Sequence, residues 1–159
     1  MAASNIRLSV DGKLLNASVE PRKLLVQALR EDFKCSSPHI GCETGRCGAC
    51  TVLLNGHAVK SCMVLAVQAD DGEVITAAGL EQSEGLNPLQ QAFQNNHALQ
   101  CGYCTSGMLC AATDLLENTP EPSEKDIREA MRGNLCRCTG YSHIVDAITE
   151  ASQSQGEKA

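Results

Sequence analysis

Large aromatic side chains are nearly absent from this 159-residue chain: there is no Trp, and Phe and Tyr occur twice each. Aromatic rings bury more apolar area than any other side chains, so a core made mainly of Val, Leu, Ile and Ala needs reinforcement from elsewhere. Long apolar runs are missing too. The longest, Cys62 to Val67, has six residues, against roughly 20 for a helix that crosses a bilayer, which excludes a membrane-spanning helix. Basic residues are scarce, with 13 Lys and Arg against 19 Asp and Glu for a formal charge of -6. That balance speaks against nucleic acid or an anionic membrane as partner. The stretch MAASNIRLSV reaches Arg7 before an apolar segment of signal-peptide length develops, and it holds no twin arginine. A cytoplasmic chain is the expectation.

Cysteine is abundant, with ten residues. Without an export signal these thiols are expected to serve as ligands rather than to form disulfides, because a reducing compartment keeps them as thiols. They fall into two groups of five: Cys35, Cys42, Cys47, Cys50 and Cys62, then Cys101, Cys104, Cys110, Cys136 and Cys138. Within the first group, Cys42-x4-Cys47-x2-Cys50 followed by Cys62 has the plant-type ferredoxin spacing for a 2Fe-2S cluster. Each iron takes two thiolates in tetrahedral geometry, so three ligands come from one tight loop and the fourth from elsewhere. Gly41, Gly45 and Gly48 interleave the loop cysteines, which lets backbone N–H groups turn toward cluster sulfurs. A zinc ribbon calls for two Cys-x2-Cys knuckles and a thioredoxin pair for a βαβ setting, and this group fits neither. Cys35 lies outside the four-ligand pattern and reads as a partly buried free thiol.

The second group offers Cys101-Gly-Tyr-Cys104 and, farther on, Cys136-Arg-Cys138. The first half alone is compatible with a redox dithiol. Together the two halves supply four thiolates, and a second 2Fe-2S cluster is favoured over zinc. Cys110, in the apolar stretch GMLCAATDLL, reads as a structural core residue. His39, His57, His97 and His143 are scattered without paired spacing and read as surface or capping residues. His39 alone is close enough to the first loop to hydrogen-bond near its cluster.

The predicted organisation is α+β, with a boundary between residues 1–78 and 79–159. The first unit reads as hairpin, helix, cysteine loop, hairpin. Ile6, Leu8 and Val10 alternate with polar residues up to Asp11-Gly12, and Leu15, Ala17 and Val19 resume the alternation. Pro21 suits the first turn of a helix that carries Leu24, Leu25, Ala28 and Leu29 as far as Phe33. TVLL and HAVKS flank Asn55-Gly56, and EVITA near residues 73–77 reads as a last strand. The sum resembles a β-grasp, plant-type ferredoxin-like domain. The second unit is all helix and is expected to form a four-helix bundle. Its helices are PLQQAFQNNHAL behind Pro88, residues 106–117, a capping box Ser123-x-x-Asp126 before IREAMRG, and HIVDAITEAS capped by Ser142. The tail SQSQGEKA is predicted to fray.

Three motifs in order, HIGCETGRCGACTV at 39–52, QCGYCTSGM at 100–108 and NLCRCTGY at 134–141, resemble the small iron-sulfur subunit of the molybdenum hydroxylases. That family includes xanthine oxidase relatives, carbon monoxide dehydrogenases, and aldehyde and N-heterocycle dehydrogenases. The resemblance implies one 2Fe-2S cluster in each unit. It also implies a large partner subunit with a molybdenum-pterin centre, as a cytosine dinucleotide, and a medium partner subunit with FAD, assembled as a dimer of heterotrimers. Electrons would then run from molybdenum through the Cys101, Cys104, Cys136, Cys138 cluster to the Cys42, Cys47, Cys50, Cys62 cluster and on to flavin. No substrate chemistry would occur on this chain. Gln100 and Cys138 match the positions that lie against the pterin in the family. Two positions depart from the common pattern: Ser106 stands where Pro is frequent, and Glu43-Thr44 tilts only slightly toward the carbon monoxide and aldehyde branches.

Overall fold

A computed structural model of the protein describes residues 2–83 and 85–156. Five strands form one mixed sheet in the order β2-β1-β5-β3-β4. β1 (Ser4–Val10) and β2 (Lys13–Val19) make the first hairpin, in register from Ser4 opposite Val19 to Val10 opposite Lys13. Its turn is Asp11-Gly12, both with positive φ (49° and 76°), the backbone that matches the right-handed twist of the flanking strands. β3 (Thr51–Leu54) and β4 (His57–Lys60) repeat the device around Asn55-Gly56. β5 (Glu73–Ile75) lies between the two hairpins, parallel to β1 and antiparallel to β3. Ile6, Leu8, Val10, Val19, Val52 and Val74 point into one core, closed by Leu25, Ala28 and Leu29.

The predicted first helix differs in detail. Pro21 lies in a turn, and α1 (Leu25–Gln27) begins four residues later, continuing into a π-helical turn over Ala28–Asp32. The late start has a cause: Leu24 forms a β-bridge with Leu65, and Leu25 N–H donates to Val64 C=O at 2.8 Å. This bridge holds the chain extended until Leu25. The π turn closes when Phe33 N–H reaches Ala28 C=O at 3.0 Å.

Four helices follow: α2 (Pro88–Asn95), α3 (Thr105–Asn118), α4 (Glu124–Met131) and α5 (Ser142–Gly156). They share a second core in which Phe93, Met108, Leu116, Ile127, Ile144 and Ile148 are buried. α2 opens on Pro88 with Asn87 accepting from Gln90 N–H, and it ends before His97, whose φ is 51°. The Ser123/Asp126 capping box forms as predicted. Ser142 is not the cap of the last helix but its first residue; Val145 N–H bonds Tyr141 C=O instead. The frayed tail is also corrected, since α5 runs through Gly156 and Ser152 is buried, while residues 157–159 lie outside the described residues.

The two cores meet where α3 crosses β3 and β4. Gly107 in α3 faces the backbone of Gly48, and a Cβ at Gly107 would run into the Gly48 carbonyl oxygen and lie 3.1 Å from Asn134 Nδ2. Gly48 itself has a φ of +73°. Alanine at Gly107 would gain about 1 kcal/mol of helix propensity, but overpacking against a backbone oxygen costs about 1–3 kcal/mol. The clash wins. Gly107→Ala is therefore expected to lower the thermal unfolding midpoint of the protein, measured by circular dichroism.

Candidate metal centres

The first four cysteines are assembled by the loop before β3 and by the β3/β4 hairpin. Cys42, Cys47 and Cys50 lie on the loop, and Cys62 on a short 3-10 turn after β4. The hairpin register sets Thr51 opposite Lys60, and Ser61 then pins the returning chain, with its N–H at 3.3 Å and its hydroxyl at 2.6 Å from Cys50 C=O. Cys50 and Cys62 consequently lie side by side, both buried. Cys42 Sγ accepts from Thr44 N–H at 3.4 Å and from Cys47 N–H at 3.3 Å.

The second four come together at the ends of helices. Cys104 precedes α3 as its N-terminal cap residue, with Cys101 one turn earlier; Cys136 and Cys138 occupy the connection between α4 and α5. The Cys101 and Cys138 thiols are 3.6 Å apart and exposed, while Cys104 touches Cys136 and both are half-buried. Cys136 N–H donates to Tyr141 Oη at 3.0 Å, and Tyr141 Oη donates in turn to Asn134 C=O at 3.3 Å. Gln100 Nε2 donates to Cys138 C=O at 3.2 Å, leaving its own amide oxygen without a hydrogen bond in this contact.

Thiol acidities follow these surroundings. Hydrogen bonds from Thr44, then from Cys47, bring Cys42 down to about 6. Burial pushes Cys62 up to about 11 and Cys104 up to about 12, reinforced by the neighbouring thiols Cys50 and Cys136 respectively. For Cys136, burial acts upward but is outweighed by hydrogen bonds led by Thr139, so the thiol is held below its ordinary value. Among the described residues, no three His, Cys, Asp or Glu side chains converge on a point that would hold a single ion. Three thiol pairs form instead, Cys50 with Cys62, Cys101 with Cys138 and Cys104 with Cys136, and Cys42 Sγ is tied to Cys47 through the Cys47 N–H. Four thiols per site is the donor set a two-iron cluster takes, and the residues present fit that group.

The two sites are joined directly. Leu135 N–H donates to Cys47 C=O at 2.8 Å, and Leu135 is bonded to Cys136. Asn134, buried, donates from Nδ2 to Gly48 C=O at 3.2 Å and accepts at Oδ1 from Lys60 Nζ at 2.6 Å. His39 stacks on Tyr103 with ring centroids 4.7 Å apart, and its Nδ1 lies 3.1 Å from Tyr103 C=O and 3.4 Å from Ser106 Oγ. Tyr103 Oη donates to Ile40 C=O at 2.7 Å. The His39 side chain thus contacts the second cysteine motif, while its backbone N–H donates to Ala49 C=O in the first at 3.0 Å. Cys35 lies 3.9 Å from Thr76 Oγ1, and Cys110 is fully buried with its thiol pushed up to about 12 by burial; neither belongs to a pair. Lys60 and Asn134 escaped the sequence reading, because a lone Lys at a strand end and a lone Asn before a cysteine motif carry no local signal.

Two family profiles match the chain: a "2Fe-2S iron-sulfur cluster binding domain" over residues 8–80 and a "[2Fe-2S] binding domain" over residues 76–149. The nicotine 6-hydroxylase small subunit of Paenarthrobacter nicotinovorans is 46% identical over 153 residues, covering 96% of this chain and 92% of that one. The nicotinate dehydrogenase small FeS subunit of Eubacterium barkeri is 46% identical over 146 residues, covering 92% and 93%. Among solved structures, quinoline 2-oxidoreductase from Pseudomonas putida 86 superposes with a TM-score of 0.93 at 46% identity, covering 99% of this chain and 98% of that chain. Fold and cysteine sets together define a 2Fe-2S electron-transfer protein. The chain belongs to the small iron-sulfur subunits of the molybdenum hydroxylase family.

Tyr141 gives the site a simple test. Tyr141→Phe leaves the half-buried Cys136 N–H without its acceptor, a loss of about 1 kcal/mol. The guanidinium unfolding midpoint should shift to lower denaturant accordingly, with iron content at the outset unchanged.

Proposed function

We propose that Cys42, Cys47, Cys50 and Cys62 hold one 2Fe-2S cluster and that Cys101, Cys104, Cys136 and Cys138 hold the other. On this reading residues 1–78 are a β-grasp domain and residues 79–159 a four-helix bundle, each serving one cluster. The chain then conducts electrons within a complex, between a molybdenum-pterin cytosine dinucleotide in a large subunit and FAD in a medium subunit. Each cluster, when bound, supplies a one-electron step. The single observation that carries the reading is the Leu135 N–H to Cys47 C=O hydrogen bond, which links one cysteine set to the other through a few covalent bonds and one short contact. The exposed Cys101/Cys138 pair, with exposed Leu99 and Leu135 nearby in sequence, supports contact with the large subunit on that side. Reliance on reduced thiols supports a cytoplasmic complex, and two copies of the heterotrimer complete the proposed assembly. No described helix is long and apolar enough to cross a membrane.

The test is purification of the complex from its native source, with metal analysis and paramagnetic resonance. About four irons and four acid-labile sulfides per chain are expected, with two spin signals on partial reduction. Cys50→Ser should lose one signal and about half the iron, whereas Cys110→Ala should keep both. A native chain that elutes without molybdenum- or flavin-containing partners would leave a free ferredoxin, and zinc in place of iron would leave a stand-alone zinc module. Relatives named for nicotine, nicotinate and quinoline put N-heteroaromatic rings first in a substrate screen of the complex.

Gln100 and Cys138 are proposed to meet the pterin, with the Gln100 amide anchored to Cys138 C=O and its oxygen free to accept from the cofactor. Gln100→Leu should retain both clusters yet slow their reduction by substrate about 10-fold or more, read by rapid mixing under conditions where electron transfer limits the rate. Unchanged reduction in a fully loaded variant would remove the role.

A further inference from the structure

Lys60 ends β4 two residues before Cys62, and neither the cysteine spacing nor the resemblance singles it out. Its ammonium is drawn inward. Nζ donates to Asn134 Oδ1 at 2.6 Å and to Thr51 Oγ1 at 3.0 Å, and the end of the side chain packs beside Gly133. Both acceptors are uncharged, and among the described residues no carboxylate forms an ion pair with it. The ionisable groups that act on it are thiols: Cys50, Cys47 and Cys62, three of the four in the first set. A half-buried lysine whose only charged counterparts are sulfur ligands is poorly explained as a fold-stabilising ion pair. Two neutral hydrogen-bond acceptors would be served equally well by an uncharged donor.

We infer that Lys60 is a positioning residue that raises the reduction potential of the Cys42, Cys47, Cys50, Cys62 cluster by holding a fixed positive charge beside it. The inference rests on the two-cluster reading above. Reduction adds one negative charge to a cluster, and a cation in a partly desolvated site stabilises the reduced form more than the oxidised one. With both clusters bound, one electron would pass to this cluster as the Cys101, Cys104, Cys136, Cys138 cluster is oxidised by one electron, and would leave to the flavin; no bond would form or break. The charge makes arrival at the first cluster more favourable. Because Asn134 receives the same ammonium and bonds Gly48, the side chain also steadies the loop between Cys47 and Cys50.

Three substitutions in the intact complex separate charge from geometry. Lys60→Gln keeps a hydrogen-bond donor without the charge, Lys60→Met removes both, and Lys60→Arg keeps the charge. Redox titration followed by paramagnetic resonance reads the potential of each cluster separately. A lower potential for the first cluster in Lys60→Gln and Lys60→Met, a smaller shift in the second, and a potential near the original in Lys60→Arg are expected. Three results overturn the inference: an unchanged first-cluster potential in Lys60→Gln with both signals intact, equal shifts in both clusters, or iron loss in Gln and Met variants that Arg alone prevents, which assigns Lys60 to folding. Absence of two spin signals from the unmodified complex would instead overturn the two-cluster reading, so the two failures are distinguishable.

Discussion

The structure depends on one close approach, that of the loop carrying Cys47 and Gly48 to the segment Gly133–Leu135 and to Gly107 of α3. The two hydrophobic cores are separate, one under the sheet and one among α2 to α5, so apolar burial alone does not fix the relation between the cysteine sets. A backbone hydrogen bond and backbone-to-backbone packing do. The packing does not survive a Cβ at the contact, which is why Gly48 and Gly107 face each other across it. With the backbones in direct contact, the two thiol sets become neighbours.

Around this junction the chain places side chains that each satisfy two partners. Asn134 is buried with its amide divided between Gly48 and Lys60, and Tyr141 accepts from Cys136 N–H while donating to Asn134 C=O. Buried polar groups left unpaired are costly, so such networks favour one arrangement over its near alternatives. On the far edge, the His39/Tyr103 stack and the Tyr103 Oη bond to Ile40 add a second tie between the motifs. The ties of Asn134 to Gly48 and Lys60 and of Tyr103 to His39 and Ile40 span 63 to 86 residues of sequence.

The thiols themselves grade from sheltered to exposed, with Cys42 and Cys47 half-covered. Cys50 and Cys62 are buried, and Cys104 and Cys136 are half-covered, whereas Cys101 and Cys138 face outward. Burial makes Cys62 and Cys104 reluctant thiolates, and hydrogen bonds from Thr44 and then Cys47 make Cys42 a ready one. An electron-transfer chain benefits from both: sheltered thiols exclude water, and exposed ones leave a surface that another group can approach.

Much of this was legible in the sequence because it is encoded over short distances. The Asp11-Gly12 and Asn55-Gly56 turns, the Ser123/Asp126 capping box, the four later helices and the cysteine spacings are all local patterns, and each reappears in the structure. Local patterns also misled. Pro21 looked like a helix start until a bridge from Leu24 to Leu65 held the chain extended, and Ser142 looked like a cap until Tyr141 took that place. What only the tertiary structure decided is the pairing of the thiols, the turn of His39 toward Tyr103, and the convergence of Lys60 and Asn134 on the first cysteine loop. The amino-acid sequence by itself determined which residues can ligate and which turns can form, since bond geometry and backbone preference act between near neighbours. It left open which distant groups meet, because that depends on how two separate cores seat against each other where α3 crosses β3 and β4.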